Sequence, residues 1–320
     1  MLRRTRAKLT VATLAALIAL GSLVASPLRA ASQTTSPVIA AAGDIACDPA
    51  SPDFNGGSGS GKHCRELATS NLLVGGGYSA VLALGDEQYE CGSLTAFNES
   101  YDPSWGRVKR STHPAPGNHE YETSGGTGCT GANAGAAGYF KYFGAAAGTS
   151  GQGWYSFDAG SWHVIALNSQ CSVVGCGTTS AQYAWLKADL AAHPTGCKLA
   201  FWHIPVFASA SASGATKPFW QLLYAAHADL ILNGHYHAYE RFAQQSPAGA
   251  ATAAGIREFV VGTGGENHAA AGARRANLEV QNTATFGVLT LTLQSSSYAW
   301  KFIPIAGSAF TDSGSTSCHT

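Results

Sequence analysis

Short apolar stretches that each end at a glycine or a polar residue recur along the chain. They lie at residues 38–43, 80–85, 197–202 and 231–233. Apolar runs of this length, bounded by turn residues, are typical of strands buried on both faces of a sheet. A further strand is predicted at residues 258–261, before a glycine-rich turn.

Helical and hairpin patterns fill the intervals between these stretches. Helical periodicity is clearest at residues 180–192, where Tyr183, Leu186 and Leu190 fall on one face. The other predicted elements are helices at 64–73 and 218–226, a hairpin of residues 154–158 and 162–168, and a final antiparallel pair at 286–293 and 298–305.

The order of these elements predicts the fold class. Strands and helices alternate first and antiparallel strands follow, which indicates an α/β layered fold with mixed β-sheets between helices. The small-residue stretches at 123–137 and 207–216 are interpreted as surface loops rather than linkers, because strand or helix patterns resume after them. We therefore expect one domain over residues 31–320.

The N-terminal 30 residues have the pattern of a signal peptide. Four basic residues lie between Arg3 and Lys8, and the following segment up to Ala25 is uncharged and mostly apolar. A membrane anchor is the alternative, although the segment is short for a bilayer span. The sequence favours a secreted protein without a membrane segment in its mature form.

Charge and cysteine content narrow the function classes. The chain has 19 basic and 19 acidic residues and no basic run, so the sequence does not favour binding of nucleic acid. Its eight cysteines are an even number in an exported chain, which favours disulfides. Cys171 and Cys176 are the expected local pair, Cys197 and Cys318 could join the C-terminus to a strand, and the other pairings stay open.

Potential metal ligands follow the predicted strands. Each has an ordinary structural alternative, because an aspartate after a strand often caps a helix and a lone histidine is often hydrogen-bonded in a core. Together they exceed what one tetrahedral zinc needs and match a two-metal site with a bridging carboxylate. The residues are Asp44, Asp86, Tyr89, Asn118, His203, His235 and His237, with His119 and Glu120 next to Asn118.

Five segments in this order resemble the metal motifs of the calcineurin-like metallophosphoesterases, in the purple acid phosphatase branch. The tyrosine three residues after Asp86 and the run from Gly234 to Arg241 are the marks of that branch. The segments are Gly43-Asp44, Gly85-Asp86-Glu87-Gln88-Tyr89, Gly117-Asn118-His119-Glu120, His203-Ile204-Pro205 and Gly234-His235-Tyr236-His237.

The resemblance implies two metal ions and a role for each side chain. Asp44, Asp86, Tyr89 and His237 would hold one ion, Fe(III) in the purple enzymes. Asp86 would bridge to a divalent ion (Zn, Fe or Mn) that also takes Asn118, His203 and His235. A phenolate oxygen is a hard, charged donor, so Tyr89 suits Fe(III) on chemical grounds as well.

The implied activity is hydrolysis of small phosphomonoesters by attack of a metal-bound hydroxide. His119 would contact the phosphate or protonate the leaving alkoxide, and Glu120 would orient His119 through its other ring N–H. A phosphodiesterase or nucleotide hydrolase on the same centre is the alternative. A secreted binding protein with structural metals is a third hypothesis.

Some residues depart from the family pattern or fall outside it. Plant members carry further histidines shortly after the motif of His203, whereas residues 204–226 contain none. That leaves His119 as the proton donor by default. His163 is interpreted as a structural residue of the hairpin, and His193 has no partner signal.

Overall fold

The computed structural model describes residues 36–319, together with residues 1, 2, 7, 8 and 10. Most of the predicted signal peptide over residues 1–30 therefore lies outside the described part of the chain. No helix within that described part is long and apolar enough to cross a bilayer.

The first sheet has six strands and combines both ends of the domain. Its order is β13-β12-β11-β1-β2-β3, with β1, β2 and β3 parallel and β11 to β13 antiparallel. The strands are β1 (Val38–Ala42), β2 (Ala80–Ala83), β3 (Thr112–Pro114), β11 (Gly287–Leu293), β12 (Ser297–Pro304) and β13 (Ser313–Ser317).

The second sheet has seven strands in the order β10-β8-β9-β7-β6-β5-β4. Its centre is parallel, and β4, β8 and β10 pair antiparallel at the two sides. The strands are β4 (Tyr155–Ala159), β5 (Trp162–Ala166), β6 (Lys198–Phe201), β7 (Leu230–Asn233), β8 (Tyr239–Phe242), β9 (Arg257–Val261) and β10 (Leu278–Asn282).

Side-chain alternation along the central strands divides the core into two layers. In β6 and the residue after it, Leu199 and Phe201 belong to the main cluster, which also contains residues of the first sheet. Ala200 and Trp202 point the other way, into the cluster under the helices. Because successive side chains of a strand face opposite sides, the seven-stranded sheet is covered on both faces. The predicted mixed α/β layers are confirmed.

The helices lie between the strands in chain order. They are α1 (Glu66–Leu73), α2 (Leu94–Ala96), α3 (Ala137–Phe143), α4 (Cys171–Val174), α5 (Ala181–Ala192) and α6 (Lys217–Ala225). The predicted helix at 180–192 is confirmed in α5, where the Ser180 hydroxyl accepts the N–H of Tyr183 as an N-cap. Leu186 and Leu190 are buried one turn apart on its inner face.

All eight cysteines form disulfides. The predicted pairs Cys171–Cys176 and Cys197–Cys318 are confirmed. The two pairings left open by the sequence are Cys47–Cys64 and Cys91–Cys129.

Loss of the Cys197–Cys318 bridge is expected to destabilise the protein more than loss of Cys171–Cys176. The bridges span 121 and 5 residues, and chain-entropy arguments give about 5 kcal/mol for the long loop and about 2 kcal/mol for the short one. Urea unfolding of the two double Cys→Ser variants measures both losses in one protein. Equal losses would contradict the loop-length argument.

Glu66, the first residue of α1, gives stability a pH dependence. Its side chain is buried, Oε1 lies 3.4 Å from Ser100 Oγ, and Oε2 has no hydrogen-bond partner among the described residues. Burial, with a contribution from the charge of Glu266, raises the pKa of Glu66 to about 8. The folded protein therefore holds a proton that the unfolded chain releases near the ordinary pKa of 4.5.

The free energy of unfolding should therefore fall as the pH rises from about 4.5 to about 8. Below this pH window Glu66 makes its full contribution to the free energy of unfolding, and above the window that contribution is lost. We expect Glu66→Gln to remove about 2–4 kcal/mol of this decline, as measured by urea unfolding at several pH values. A parallel pH dependence in the variant would contradict this assignment.

Candidate metal centre

The loops after five strands of the two sheets bring the candidate side chains together. The first sheet places Asp44, Asp86 and Asn118 beyond the carboxyl ends of β1, β2 and β3. The second sheet places His203 beyond β6, and His235 and His237 beyond β7. Contacts between the two sets show that these strand ends meet at one edge, the usual position of a site in α/β folds.

One group of donor atoms surrounds the hydroxyl of Tyr89. Its oxygen lies 3.1 Å from Asp44 Oδ1 and 3.1 Å from His237 Nε2. His237 Nε2 is in turn 3.0 Å from Asp44 Oδ1. A carboxylate, a phenol and an imidazole thus converge on one point.

A second group surrounds His203. Its Nε2 lies 3.2 Å from Asn118 Oδ1 and 3.2 Å from His235 Nδ1. The ligand atoms of Asp86, His203 and His235 all lie within 4.8 Å of one another.

Asp86 connects the two groups through one carboxylate oxygen. Its Oδ2 is 3.3 Å from the Tyr89 hydroxyl and 3.0 Å from His203 Nε2. Its other oxygen accepts the backbone N–H of His119 at 2.8 Å. The structure brings these seven residues together, with Asp86 between the two groups.

The backbone at three of these positions adopts the left-handed region. The φ angles are +60° at Asp44, +47° at Asp86 and +68° at His235. This conformation is costly for residues with a Cβ and is found where surrounding contacts hold it. Glycines provide the space: a Cβ on Gly85 would come within 2.6 Å of His203, and one on Gly117 would collide with the Asp86 carboxylate.

The hydrogen bonds made by the Nδ1 atoms of His203 and His237 show that the site suits cations. His203 Nδ1 lies 2.9 Å from the carbonyl oxygen of Leu84, and His237 Nδ1 lies 2.6 Å from Asn267 Oδ1. A neutral ring that donates there presents the lone pair of Nε2 to the centre. Each Nε2 then faces a carboxylate, so lone pairs oppose one another unless a positive charge lies between them. The donor set therefore fits metal ions.

The pKa values show the same excess of negative charge. Burial lowers the pKa of His203 and of His237, but the neighbouring carboxylates outweigh burial and raise the values to about 9 and about 11. Burial and the charges of Asp44 and Asp86 raise the pKa of Tyr89 well above its ordinary value. A phenolate at this position therefore needs a strongly positive neighbour.

The predicted hydrogen bond between Glu120 and His119 is wrong. Glu120 Oε2 accepts the backbone N–H groups of Gly117 and Asp86 at 2.7 and 3.0 Å, and Oε1 accepts the N–H of Gln88 at 3.2 Å. His119 Nδ1 instead lies 2.7 Å from the carbonyl oxygen of Glu90. The two side chains diverge because they are adjacent in a short 3₁₀ turn (His119–Tyr121).

Sequence reasoning missed the residues that orient His237 and His119. Glu266 Oε2 lies 3.3 Å from His237 Nδ1, beside the contact from Asn267. Glu266 and Asn267 could have been found from their position in the sequence, because they follow the glycine-rich turn after β9 at the same sheet edge. The carbonyl of Glu90 gave no signal, since a backbone acceptor has no residue-specific pattern.

Comparison with known proteins identifies the family. Residues 39–239 match the model of the calcineurin-like phosphoesterases, which is more than half of the chain. The chain belongs to the calcineurin-like phosphoesterase family. All seven candidate ligands lie within the matched residues.

Within this family the chain is similar to plant purple acid phosphatases. It is 30% identical over 197 residues to purple acid phosphatase 15 of Arabidopsis thaliana, covering 55% of this chain and 34% of that protein. It is 31% identical over 196 residues to purple acid phosphatase 23 of the same plant, covering 55% and 41%. The matched region thus spans well under half of these relatives.

Solved structures share the calcineurin-like phosphoesterase fold. A purple acid phosphatase, PPD1, from yellow lupin seeds superimposes with a TM-score of 0.67 at 19% identity, covering 89% of this chain and 54% of that chain. GAP50, described as the anchor in the inner membrane complex of Plasmodium, superimposes with a TM-score of 0.61 at 12% identity, covering 89% and 90%. At these identities the likeness establishes the fold alone.

Proposed function

We propose that the protein is an exported two-metal hydrolase of phosphomonoesters. One observation carries the proposal: seven side chains form two donor groups that share a single oxygen of Asp86. Similarity to purple acid phosphatases supports this reaction class.

The residues fit two ions of different charge. Asp44, Tyr89 and His237, with Asp86, offer two carboxylates and a phenol, which suits Fe(III). Asn118, His203 and His235 add only neutral donors to Asp86, which suits a divalent ion such as Zn, Fe or Mn. When bound, such a pair of ions supplies a nucleophile at neutral or acidic pH and charge stabilisation for a phosphoryl group.

His119 is the proposed contact to the substrate. Its ring packs against Tyr89 with 4.2 Å between centroids and planes at 49°, and 26% of its side chain is exposed. With Nδ1 donating to the Glu90 carbonyl, Nε2 is the nitrogen left to hold a proton for the leaving oxygen or to bind the phosphate. The ring is therefore positioned before the substrate arrives.

Glu120 is proposed as a positioning residue rather than a catalytic one. Its three backbone hydrogen bonds fix the turns that carry Asp86 and Gln88 on one side and Gly117 on the other. These turns present Asp86 and Asn118 to the centre. Loss of the carboxylate would leave three buried N–H groups unpaired, which is costly.

Export is proposed from two observations. The N-terminal sequence has the pattern of a signal peptide. The described residues contain four disulfides, and such bonds form and persist mainly in oxidising compartments.

Measurement of metal content and of ester preference tests the proposed reaction. We expect about two metal ions per chain and faster hydrolysis of a chromogenic phosphomonoester than of the matching diester. Faster diester hydrolysis would favour the phosphodiesterase alternative. A folded, metal-loaded protein that hydrolyses neither would favour a binding role, which is relevant because GAP50 is described as an anchor.

A further inference from the structure

A second cluster of metal-binding side chains lies outside the candidate centre. It joins the β4–β5 hairpin to the end of helix α5, at the edge of the seven-stranded sheet. Asp158, His163 and His193 each offer a ligand atom, and these atoms lie within 4.8 Å of one another. Asp189 lies behind the two histidines.

Asp189 is hydrogen-bonded to one nitrogen of each ring. His163 Nε2 lies 2.8 Å from Asp189 Oδ2, and His193 Nδ1 lies 2.8 Å from the backbone oxygen of Asp189. Asp189 is itself held by the Ser156 hydroxyl at 2.8 Å. Metal-binding histidines typically donate their second N–H to such acceptors, which fixes the tautomer. The remaining lone pairs are on His163 Nδ1 and His193 Nε2.

The free lone pair of His163 faces a carboxylate. Nδ1 lies 3.1 Å from Asp158 Oδ1, close to the roughly 3.3 Å edge of a tetrahedron with Zn–N and Zn–O bonds of about 2.0–2.2 Å. A neutral ring that donates to Asp189 leaves two acceptors in contact here. Either a second proton on His163 or a metal ion must lie between them.

Two side chains of the cluster are accessible from solvent. The side chains of Asp158 and His193 are 67% and 39% exposed, whereas those of His163 and Asp189 are 6% and 10% exposed. The two rings are stacked, with centroids 3.6 Å apart and planes at 16°. For both rings to bind one ion, the ring of His193 at the helix end would turn out of this stack and release its hydrogen bond to the backbone of Asp189.

We propose that Asp158, His163 Nδ1 and His193 Nε2 bind one divalent transition-metal ion such as Zn²⁺, with Asp189 as the orienting residue. Two imidazoles and a carboxylate form a donor set that zinc prefers. The ion connects an edge hairpin to helix α5 and thereby fixes the border of the sheet. This site is independent of the candidate catalytic centre and of its activity.

Calorimetric titration with Zn²⁺ tests the site in protein whose main centre is already loaded. We expect one further ion per chain, at least tenfold weaker binding in His193→Asn and in Asp158→Asn, and roughly 10–100-fold weaker binding in Asp189→Asn. His227→Asn is the matched control, because His227 is an exposed histidine outside the cluster. It should bind the further ion like the wild type.

Two results would overturn the proposal. One is the absence of a further ion, or equal affinity in the wild type and His193→Asn. The other comes from nitrogen NMR of the imidazoles at neutral pH: a His163 ring that carries two protons and does not respond to Zn²⁺ is a structural ion pair. Because neither measurement uses hydrolysis, failure here is distinct from failure of the proposed function.

Discussion

Replacing Asp86 with alanine should reduce phosphomonoester hydrolysis by at least about 10³-fold, equivalent to about 4 kcal/mol of transition-state stabilisation. Asp86 Oδ2 is the atom that both donor groups share. In the proposed assignment its loss would remove a ligand from each ion at once, so metal content should fall together with activity. The measurements are the steady-state rate and the bound metal per chain.

The left-handed backbone at Asp86 requires a second variant. Alanine is strained at this φ, whereas asparagine tolerates it, so Asp86→Asn separates loss of charge from loss of fold. Asp53→Asn, a carboxylate in the loop after β1 and outside the centre, is the control and should keep full activity. Activity within tenfold of the wild type in folded Asp86→Asn would contradict the bridging role.

Tyr89→Phe should abolish the visible absorption expected of a phenolate bound to Fe(III), while the fold is retained. The hydroxyl provides the polar contacts to Asp44 and His237, and phenylalanine preserves the ring that packs against His119. Because burial and two carboxylates oppose ionisation of Tyr89, the phenolate exists only beside a strongly positive ion.

Absorption spectra and metal analysis of the two proteins test this expectation. Tyr236→Phe is the matched control, since the Tyr236 hydroxyl bonds to Ala270 and Gly272 in the loop after β9. A wild-type protein that is colourless, fully active and contains only zinc would show the iron assignment to be wrong. A coloured Tyr89→Phe protein would show that another group provides the absorption.

The ends of the buried strands were predictable from sequence, because each apolar run stops at a polar residue that faces the candidate centre. Residues such as Asp44, Asp86 and His203 stand out against the buried strands that precede them. The final antiparallel pair and helix α5 followed from simple periodicity. Tyr183, placed on the inner face of α5, is only half-buried, whereas Gln182 is buried. Gln182 bonds the backbone of Asn168, a contact that hydrophobicity does not signal.

Other features depended on tertiary contacts. Helix α3 begins at Ala137, where the sequence indicated the end of a loop, since glycine and alanine conceal the aromatic face of Tyr139, Phe140 and Phe143. Strands β8, β10 and β13 are too polar for a periodicity signal. The role of Glu120 was wrong because the direction of its side chain depends on a 3₁₀ turn that the sequence does not specify.

The candidate ligands come from both sheets, and this has a consequence for unfolding. Asp44, Asp86 and Asn118 follow strands of one sheet, and His203, His235 and His237 follow strands of the other. Bound ions would therefore cross-link the two sheets. Ligands that bind only the folded state stabilise it in proportion to the logarithm of their free concentration. Chelation should therefore weaken the contact between the two sheets at the centre first, and hydrogen exchange should rise at these five loops before it rises within the strands.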